Sequence, residues 1–164
     1  MNTFTVAFFG HRTVENPREI ENQLEQIIGQ LLRGQEYVEF LVGRNGEFDQ
    51  LAASSVRRAK QQIRSDNSAL TLILPYPTAE YQNNLASFEA YYDEIEICEE
   101  STKSHFKRAI QTRNQSMIRR ADLVVAWVEH PSGGAYTAMR YAKKCQKNIL
   151  NLASPPTKPS DAHE

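Results

Sequence analysis

The sequence has few of the residues that mark secreted, metal-binding or membrane proteins. It contains two cysteines, Cys98 and Cys145, and four histidines in 164 residues, and neither type shows metal-ligand spacing. No apolar run approaches the ~20 residues that cross a bilayer. The chain also begins without the basic and apolar segments of a signal peptide. These absences predict a soluble cytoplasmic protein with free thiols, no membrane partner and no metal site.

The sequence also lacks an excess of charge of either sign. Lys and Arg number 19 against 20 Asp and Glu, so the formal net charge is −1. Proteins that bind nucleic acid through its phosphates carry basic surfaces. The near-neutral balance therefore disfavours nucleic acid as a partner, and any such attraction would need a local patch of cations.

Short apolar segments of strand length alternate with segments of helical periodicity. Apolar runs lie at 4–9, 38–42, 70–74 and 123–128, the last of them rich in β-branched residues, and Asn16 and Pro17 mark the expected cap and start of the first helix. The alternation predicts one α/β domain over residues 1–153, doubly wound, with a mainly parallel sheet and helices on both faces. Aromatic residues between 76 and 92 favour core or dimer packing over a lid that stacks on a base, and residues 154–164 are predicted to be a disordered tail.

Three turns that follow predicted strands carry glycine. In a parallel sheet such turns lie along the carboxyl edge, where ligands of these folds bind. Glycine lets backbone N–H groups approach an anion, and the positive end of a following helix favours phosphate. The three turns therefore predict one phosphate-binding crevice, built from Gly10, His11 and Arg12, from Gly43, Gly46 and Asp49, and from Ser132, Gly133 and Gly134.

The region around the third turn resembles a known superfamily. The resemblance rests on Arg113-Asn114, on Ala121-Asp122 before an apolar strand, and on Ser132-Gly133-Gly134 with Thr137, Ala138 and Ala142. This pattern is similar to the Rossmann-like core of the DNA-processing protein A (Smf) group and of the LOG group, both of the SLOG superfamily of nucleotide-binding domains. The turns at 10–12 and 46–53 are most similar to small stand-alone proteins of the YpsA kind. The resemblance spans residues 4–152 and implies a nucleotide or nucleotide-derived ligand and a homodimer or higher homo-oligomer.

The resemblance also implies which residues contact the ligand. Arg113 lines up with the arginine of the LOG helix motif, which implies phosphate or ribose recognition. The alternatives left open are a structural ion pair for Arg113 and helix capping for Asp49. No resident cofactor is predicted, and Mg²⁺ accompanying a bound phosphate would be a property of the ligand. The ligand-binding set is Gly10, His11, Arg12, Gly43, Gly46, Asp49, Arg113, Asn114, Ser132, Gly133, Gly134 and Thr137.

One departure from the LOG pattern bears on catalysis. LOG phosphoribohydrolases carry a glutamate three residues after a threonine, whereas Thr137 is followed at that distance by Arg140. A cationic side chain cannot replace a carboxylate in glycosidic hydrolysis. The favoured hypothesis is therefore a sensor-like module that binds a nucleotide without turning it over. The alternatives are a hydrolase with a displaced carboxylate, and single-stranded DNA binding, which the net charge ranks last. The candidate carboxylates are Glu47, Asp49 and Glu129.

Overall fold

A computed structural model describes residues 2–153, within which six strands and seven helices alternate. The predicted tail, residues 154–164, lies outside the described residues. The strands are β1 (Thr3–Gly10), β2 (Tyr37–Val42), β3 (Ser68–Leu74), β4 (Glu94–Ile97), β5 (Leu123–Trp127) and β6 (Asn148–Asn151). The helices are α1 (Pro17–Gly34), α2 (Glu47–Gln62), α3 (Ala79–Gln82), α4 (Leu85–Tyr91), α5 (Glu99–Thr102), α6 (Phe106–Arg120) and α7 (Gly134–Lys144). Across the described part of the chain, none of these helices combines the length and apolarity that a membrane crossing needs.

The six strands form one parallel sheet in the order β4-β3-β2-β1-β5-β6. Val6 of β1 is in register with Phe40 on one side and with Leu123 on the other. The chain builds outward from β1 in one direction through β4 and then crosses over to β5. The predicted doubly wound, Rossmann-like α/β fold is confirmed, and the strand order reverses at β1, which is where such sheets bind ligands.

Helices cover both faces of the sheet, and successive residues of β1 show why. Val6 and Phe8 pack into the core beneath α1 and α2, whereas Ala7 and Phe9 pack with Met117 of α6 on the opposite face. Side chains of a strand alternate between faces, so a strand covered on both sides is apolar throughout. This is the reason that the strands appear in the sequence as continuous apolar runs.

The start of α1 departs in detail from the prediction. Pro17 is the first helical residue, as its fixed φ favours. Asn16 occupies the cap position, but its backbone is left-handed with φ 54°, and its side chain makes no capping hydrogen bond. Asparagine tolerates this conformation better than most residues, so it turns the chain into α1 through its backbone.

The segment between β3 and α6 holds the aromatic and acidic residues that stand out in the sequence. Phe88 and Tyr92 are buried in the core, with ring centroids 6.0 Å apart, as core packing predicts, whereas Tyr76, Tyr81 and Tyr91 are only partly buried. The acidic run pairs with cations of neighbouring elements: Asp93 with Lys60 at 2.9 Å, Glu96 with Arg120 at 2.9 Å, and Glu100 with Arg119 at 2.7 Å. Three of the five carboxylates at 93–100 are thus paired within the described residues.

Candidate functional site

The three glycine-bearing turns meet at the carboxyl edge of the sheet, where β1 and β5 lie side by side. They enclose a cavity of about 490 Å³, here called the carboxyl-edge cavity. Its volume lies within the range typical of small-molecule sites. Its lining includes Gly10, His11, Arg12, Asn45, Asp49, Arg113, Asn114, His130, Ser132, Gly133 and Gly134.

The turns after β1 and β2 are packed directly against each other. The backbone N–H of Glu47 donates to the carbonyl of Arg12 at 2.8 Å, and the N–H of Val14 donates to Oε1 of Glu47 at 2.7 Å. A Cβ on Gly46 would lie 2.5 Å from Cα of Arg12, closer than real side chains approach. The glycine therefore allows the close approach that holds Arg12 at the cavity.

The turn after β5 presents the N-terminus of α7 to the same cavity. Gly133 has φ 91°, a conformation that glycine adopts without strain, and Gly134 begins the helix. Both glycines and Ala135 line the cavity. The first N–H groups of a helix have no partner within it, and this end carries partial positive charge. The arrangement suits an anion such as a phosphate.

Arg113 lies beneath the cavity and is only 2% exposed. Its Nη1 donates to the carbonyl of Ile73 at 2.7 Å and its Nη2 to Oδ1 of Asn45 at 2.6 Å. Its Nε donates to Oδ1 of Asn114 at 2.9 Å. Burial lowers the pKa of Arg113, and the nearby Asp49 carboxylate opposes this shift. Three of the five guanidinium N–H donors are thus engaged with the protein, so Arg113 joins α6, β3 and the turn after β2.

Asp49 is also buried at the cavity wall. Its Oδ2 accepts the backbone N–H of Asn45 at 2.8 Å, so it ties the turn after β2 to the first turn of α2. Burial raises the pKa of the Asp49 carboxyl, while the Asn45 N–H and Arg113 oppose the shift. Asn45 thereby connects the two buried charges, since its backbone contacts Asp49 and its side chain contacts Arg113.

Three other predicted ligand-binding residues do not line the carboxyl-edge cavity. Gly43 packs against the Arg113 guanidinium and Gly46 against Arg12, and neither lines the cavity. Thr137 lines a neighbouring cavity, and its Oγ1 donates to the carbonyl of Gly133 at 3.1 Å. Arg140 is exposed above the Tyr136 ring at 5.9 Å. Both glycines therefore have a packing role in the structure. The ligand-binding roles of Gly43, Gly46 and Thr137 stay predictions.

The three candidate catalytic carboxylates do not all line the carboxyl-edge cavity. Glu47 is exposed and accepts the Val14 N–H on the side of α2 that faces the start of α1. Glu129 is exposed and lies outside the cavity lining. Of the three, Asp49 lines the cavity. A hydrolytic mechanism would therefore depend on a carboxylate that is buried and already hydrogen-bonded to the backbone.

Sequence reasoning missed a basic surface at the start of α6, where Lys107 lines a cavity that adjoins the carboxyl-edge cavity. Lys103, Lys107 and Arg108, here called the basic rim, are exposed and form no ion pair with any residue between 2 and 153. Phe106 lies among them, is 66% exposed and stacks on His105 with centroids 5.0 Å apart. The signal was the run of Lys103, His105, Phe106, Lys107 and Arg108, a local cluster that the net charge concealed.

Comparisons with known proteins give one informative result. No family model matches the chain, and no curated protein matches it. Among solved structures, the fold is similar to that of DNA processing protein A from Helicobacter pylori, with a TM-score of 0.65 and 17% sequence identity. The match covers 94% of this chain and 67% of that chain, and that protein is described with a single-stranded DNA binding mode. At this identity the likeness shows a shared fold.

This comparison contradicts the expectation that nucleic acid is a disfavoured partner. The expectation rested on net charge, which averages over the whole surface. In the structure, Asp93, Glu96 and Glu100 are paired with Lys60, Arg120 and Arg119, whereas the basic rim is unpaired within residues 2–153. A protein with a net charge of −1 can therefore present a basic surface at one site.

Proposed function

We propose that this protein binds single-stranded nucleic acid, with one phosphate in the carboxyl-edge cavity and the strand continuing over the basic rim. One observation carries the proposal. The N-terminus of α7 and the exposed side chain of Arg12 line the same cavity, at the point where the strand order of the sheet reverses. Helix N–H groups and an arginine are the donors that phosphate recognition uses.

The surface beyond the cavity supports a strand in preference to an isolated phosphate. Binding to single strands combines cations that follow the backbone with aromatic rings on which bases stack. Lys107 lines a cavity that adjoins the carboxyl-edge cavity, and the neighbouring Phe106 is 66% exposed. Phe106 lies outside the described core, and stacking on a base would give this exposed ring between two cations a function.

The likeness in fold to DNA processing protein A supports the same proposal, because that protein is described with a single-stranded DNA binding mode. We also propose that the protein belongs to the SLOG superfamily and, within it, is most similar to proteins of the YpsA kind. The proposal includes the homodimer or higher homo-oligomer that the superfamily implies, which sedimentation velocity would test.

Fluorescence anisotropy with a labelled oligo-dT 20-mer at several salt concentrations tests the proposal. We expect Arg12→Ala to weaken binding and to reduce the slope of log K against log salt by about one. Arg18→Ala is the matched control, because Arg18 is exposed on α1 and lies outside the cavity lining. The proposal fails if the wild-type protein does not bind the oligonucleotide at low salt, or if both variants behave like wild type.

A free nucleotide is a second candidate, and the cavity volume favours it. About 490 Å³ lies within the range for one small ligand, and a nucleoside phosphate would use the same donors. A thermal-shift panel of nucleoside mono-, di- and triphosphates, repeated as competition against bound oligo-dT, separates the two. A nucleotide that stabilises the protein and displaces oligo-dT would show that one site binds both, and stabilisation without oligo-dT binding would favour the nucleotide alone.

A further inference from the structure

A smaller cavity of about 210 Å³ lies between α6 and α7 and adjoins the carboxyl-edge cavity. We call it the interhelical cavity. Residues spaced three and four apart on each helix form its walls, so one stripe of α6 faces one stripe of α7. Gly134 and Ala138 are the small residues on the α7 side. Their size leaves space between two helices that otherwise pack together.

The two cavities share Ile110, Asn114 and Gly134, and Asn114 shows that their junction is polar. Asn114 is 9% exposed. Its Oδ1 accepts from Nε of Arg113, which fixes the orientation of the amide. Its Nδ2 donates to no acceptor among residues 2–153. Asn114 lines both cavities, so this amide donor is available to a ligand or water at their junction.

The walls of the interhelical cavity combine apolar surface with amide groups. Ile110, Ala138 and the half-buried ring of Tyr141 supply the apolar part. Gln111 and Gln115 add two further amides on α6. Side-chain amides offer both donors and acceptors, and they pair with the edges of nucleobases. An aromatic ring adds a surface on which a base can stack.

We infer that the interhelical cavity binds a nucleobase of the nucleotide whose phosphate lies in the carboxyl-edge cavity. This inference rests on the proposed function. A volume of about 210 Å³ is below the roughly 300–1,000 Å³ of pockets that hold a whole ligand, so it suits one ring system joined to a group outside. The adjoining phosphate site supplies that group, and Asn114 lies between the two.

The experiment compares two oligonucleotide probes on the full chain. One is a labelled oligo-dT 12-mer, and the other is a 12-mer of the same length and label with abasic sites throughout. Both carry the same phosphates, so their affinity ratio isolates the contribution of the bases. We expect the wild-type protein to prefer oligo-dT by about five- to ten-fold, as base stacking and pairing predict.

Variants of residues that line the interhelical cavity then test whether this cavity is the source of the preference for oligo-dT. Tyr141→Ala removes the ring, and we expect it to lower the ratio toward one without weakening abasic binding. Tyr141→Phe is the matched control, because it keeps the ring and removes only a hydroxyl that accepts from Arg119 at 3.1 Å. Gln111→Ala with Gln115→Ala provides an independent test, because both residues lie on the outer part of α6 and their loss leaves the core intact.

The outcomes separate this inference from the proposed function. A ratio near one in the wild-type protein, or a ratio unchanged in both Tyr141→Ala and the glutamine double variant, would overturn the base site and leave strand binding in place. Absence of binding to both probes would overturn the proposed function together with the inference. If Tyr141→Ala fails to fold in a thermal melt, the glutamine variant decides the result.

Discussion

The imidazole rings of His11 and His130 stack face to face at the carboxyl-edge cavity, with centroids 3.8 Å apart and planes at 3°. His11 is buried, and its Nε2 accepts the backbone N–H groups of Glu129 at 2.9 Å and of His130 at 3.4 Å. A protonated imidazole cannot accept at Nε2. These hydrogen bonds therefore require neutral His11, with its proton on Nδ1, and they join the turn after β1 to the turn after β5.

This arrangement predicts a stability that falls on acidification. Burial, and to a smaller extent the charge of His130, lowers the pKa of His11 below 6.5. Below about pH 6.5 the unfolded chain takes up a proton that folded His11 does not, so the free energy of unfolding decreases as the pH falls from 6.5 toward the folded pKa. Above that range the contribution is fully present. We expect the thermal midpoint to fall between pH 7.5 and 5.5, and His11→Gln to reduce this dependence. Equal slopes in the two proteins would contradict the assignment.

Gly133 and Gly134 differ in backbone conformation, so the effects of alanine substitution at the two positions can be compared. Gly133 has φ 91°, so Gly133→Ala is expected to cost about 1–3 kcal/mol of stability. Gly134 has no such conformation, and a Cβ there would meet no atom within 4 Å. Gly134→Ala is therefore expected to be neutral or to stabilise by up to about 1 kcal/mol. Urea denaturation measures both, and a similar loss in the two variants would show that the turn is not constrained as described.

Arg113 is predicted to be essential for stability. Replacing it with methionine leaves the Ile73 carbonyl, Asn45 and Asn114 without their donor and leaves Asp49 without its nearby cation. Loss of one partner from a buried charged network typically costs about 3–5 kcal/mol. A double-mutant cycle with Asp49→Asn, followed by urea denaturation, should give a loss smaller than the sum of the single losses.

This prediction also limits what Arg113 variants reveal about binding. A ligand lost in Arg113→Ala would reflect disturbance of the cavity wall as well as any missing contact. Additive losses in the cycle, or a loss below about 1 kcal/mol in Arg113→Met, would instead indicate that the guanidinium is free to serve a ligand.

The basic rim can be tested against net charge alone. Lys107→Glu with Arg108→Glu reverses two charges beside the interhelical cavity, whereas Lys143→Glu with Lys144→Glu makes the same change at the far end of α7. We expect the rim variant to weaken oligo-dT binding at least ten-fold at low salt and to flatten its salt dependence, with a much smaller effect from the control. Equal losses would mean that total charge, and not the rim, governs binding. Thermal melts check that both variants fold.

Much of the fold follows from patterns within short segments. The apolar runs at 4–9, 38–42 and 70–74 lie in strands, the run at 123–128 extends one residue beyond β5, and the helical periodicity between the runs lies in helices on both faces. The short helices α3 and α5 have four residues each, too few for a periodic signal, and the sequence did not predict them. The parallel direction of the strands placed the three turns on one edge, so the location of the cavity could also be inferred.

The sequence by itself determined the class of fold and the edge that holds the site, because hydrophobic periodicity and glycine turns are local properties of the chain. Only the tertiary structure decided which polar residues face the cavity. It buried Arg113 and Asp49 in a network through Asn45, packed Gly43 and Gly46 against side chains, and paired the acidic run with distant arginines. It also left the basic rim unpaired within the described residues. Burial and charge pairing depend on residues far apart in sequence, so composition and spacing could not reveal them.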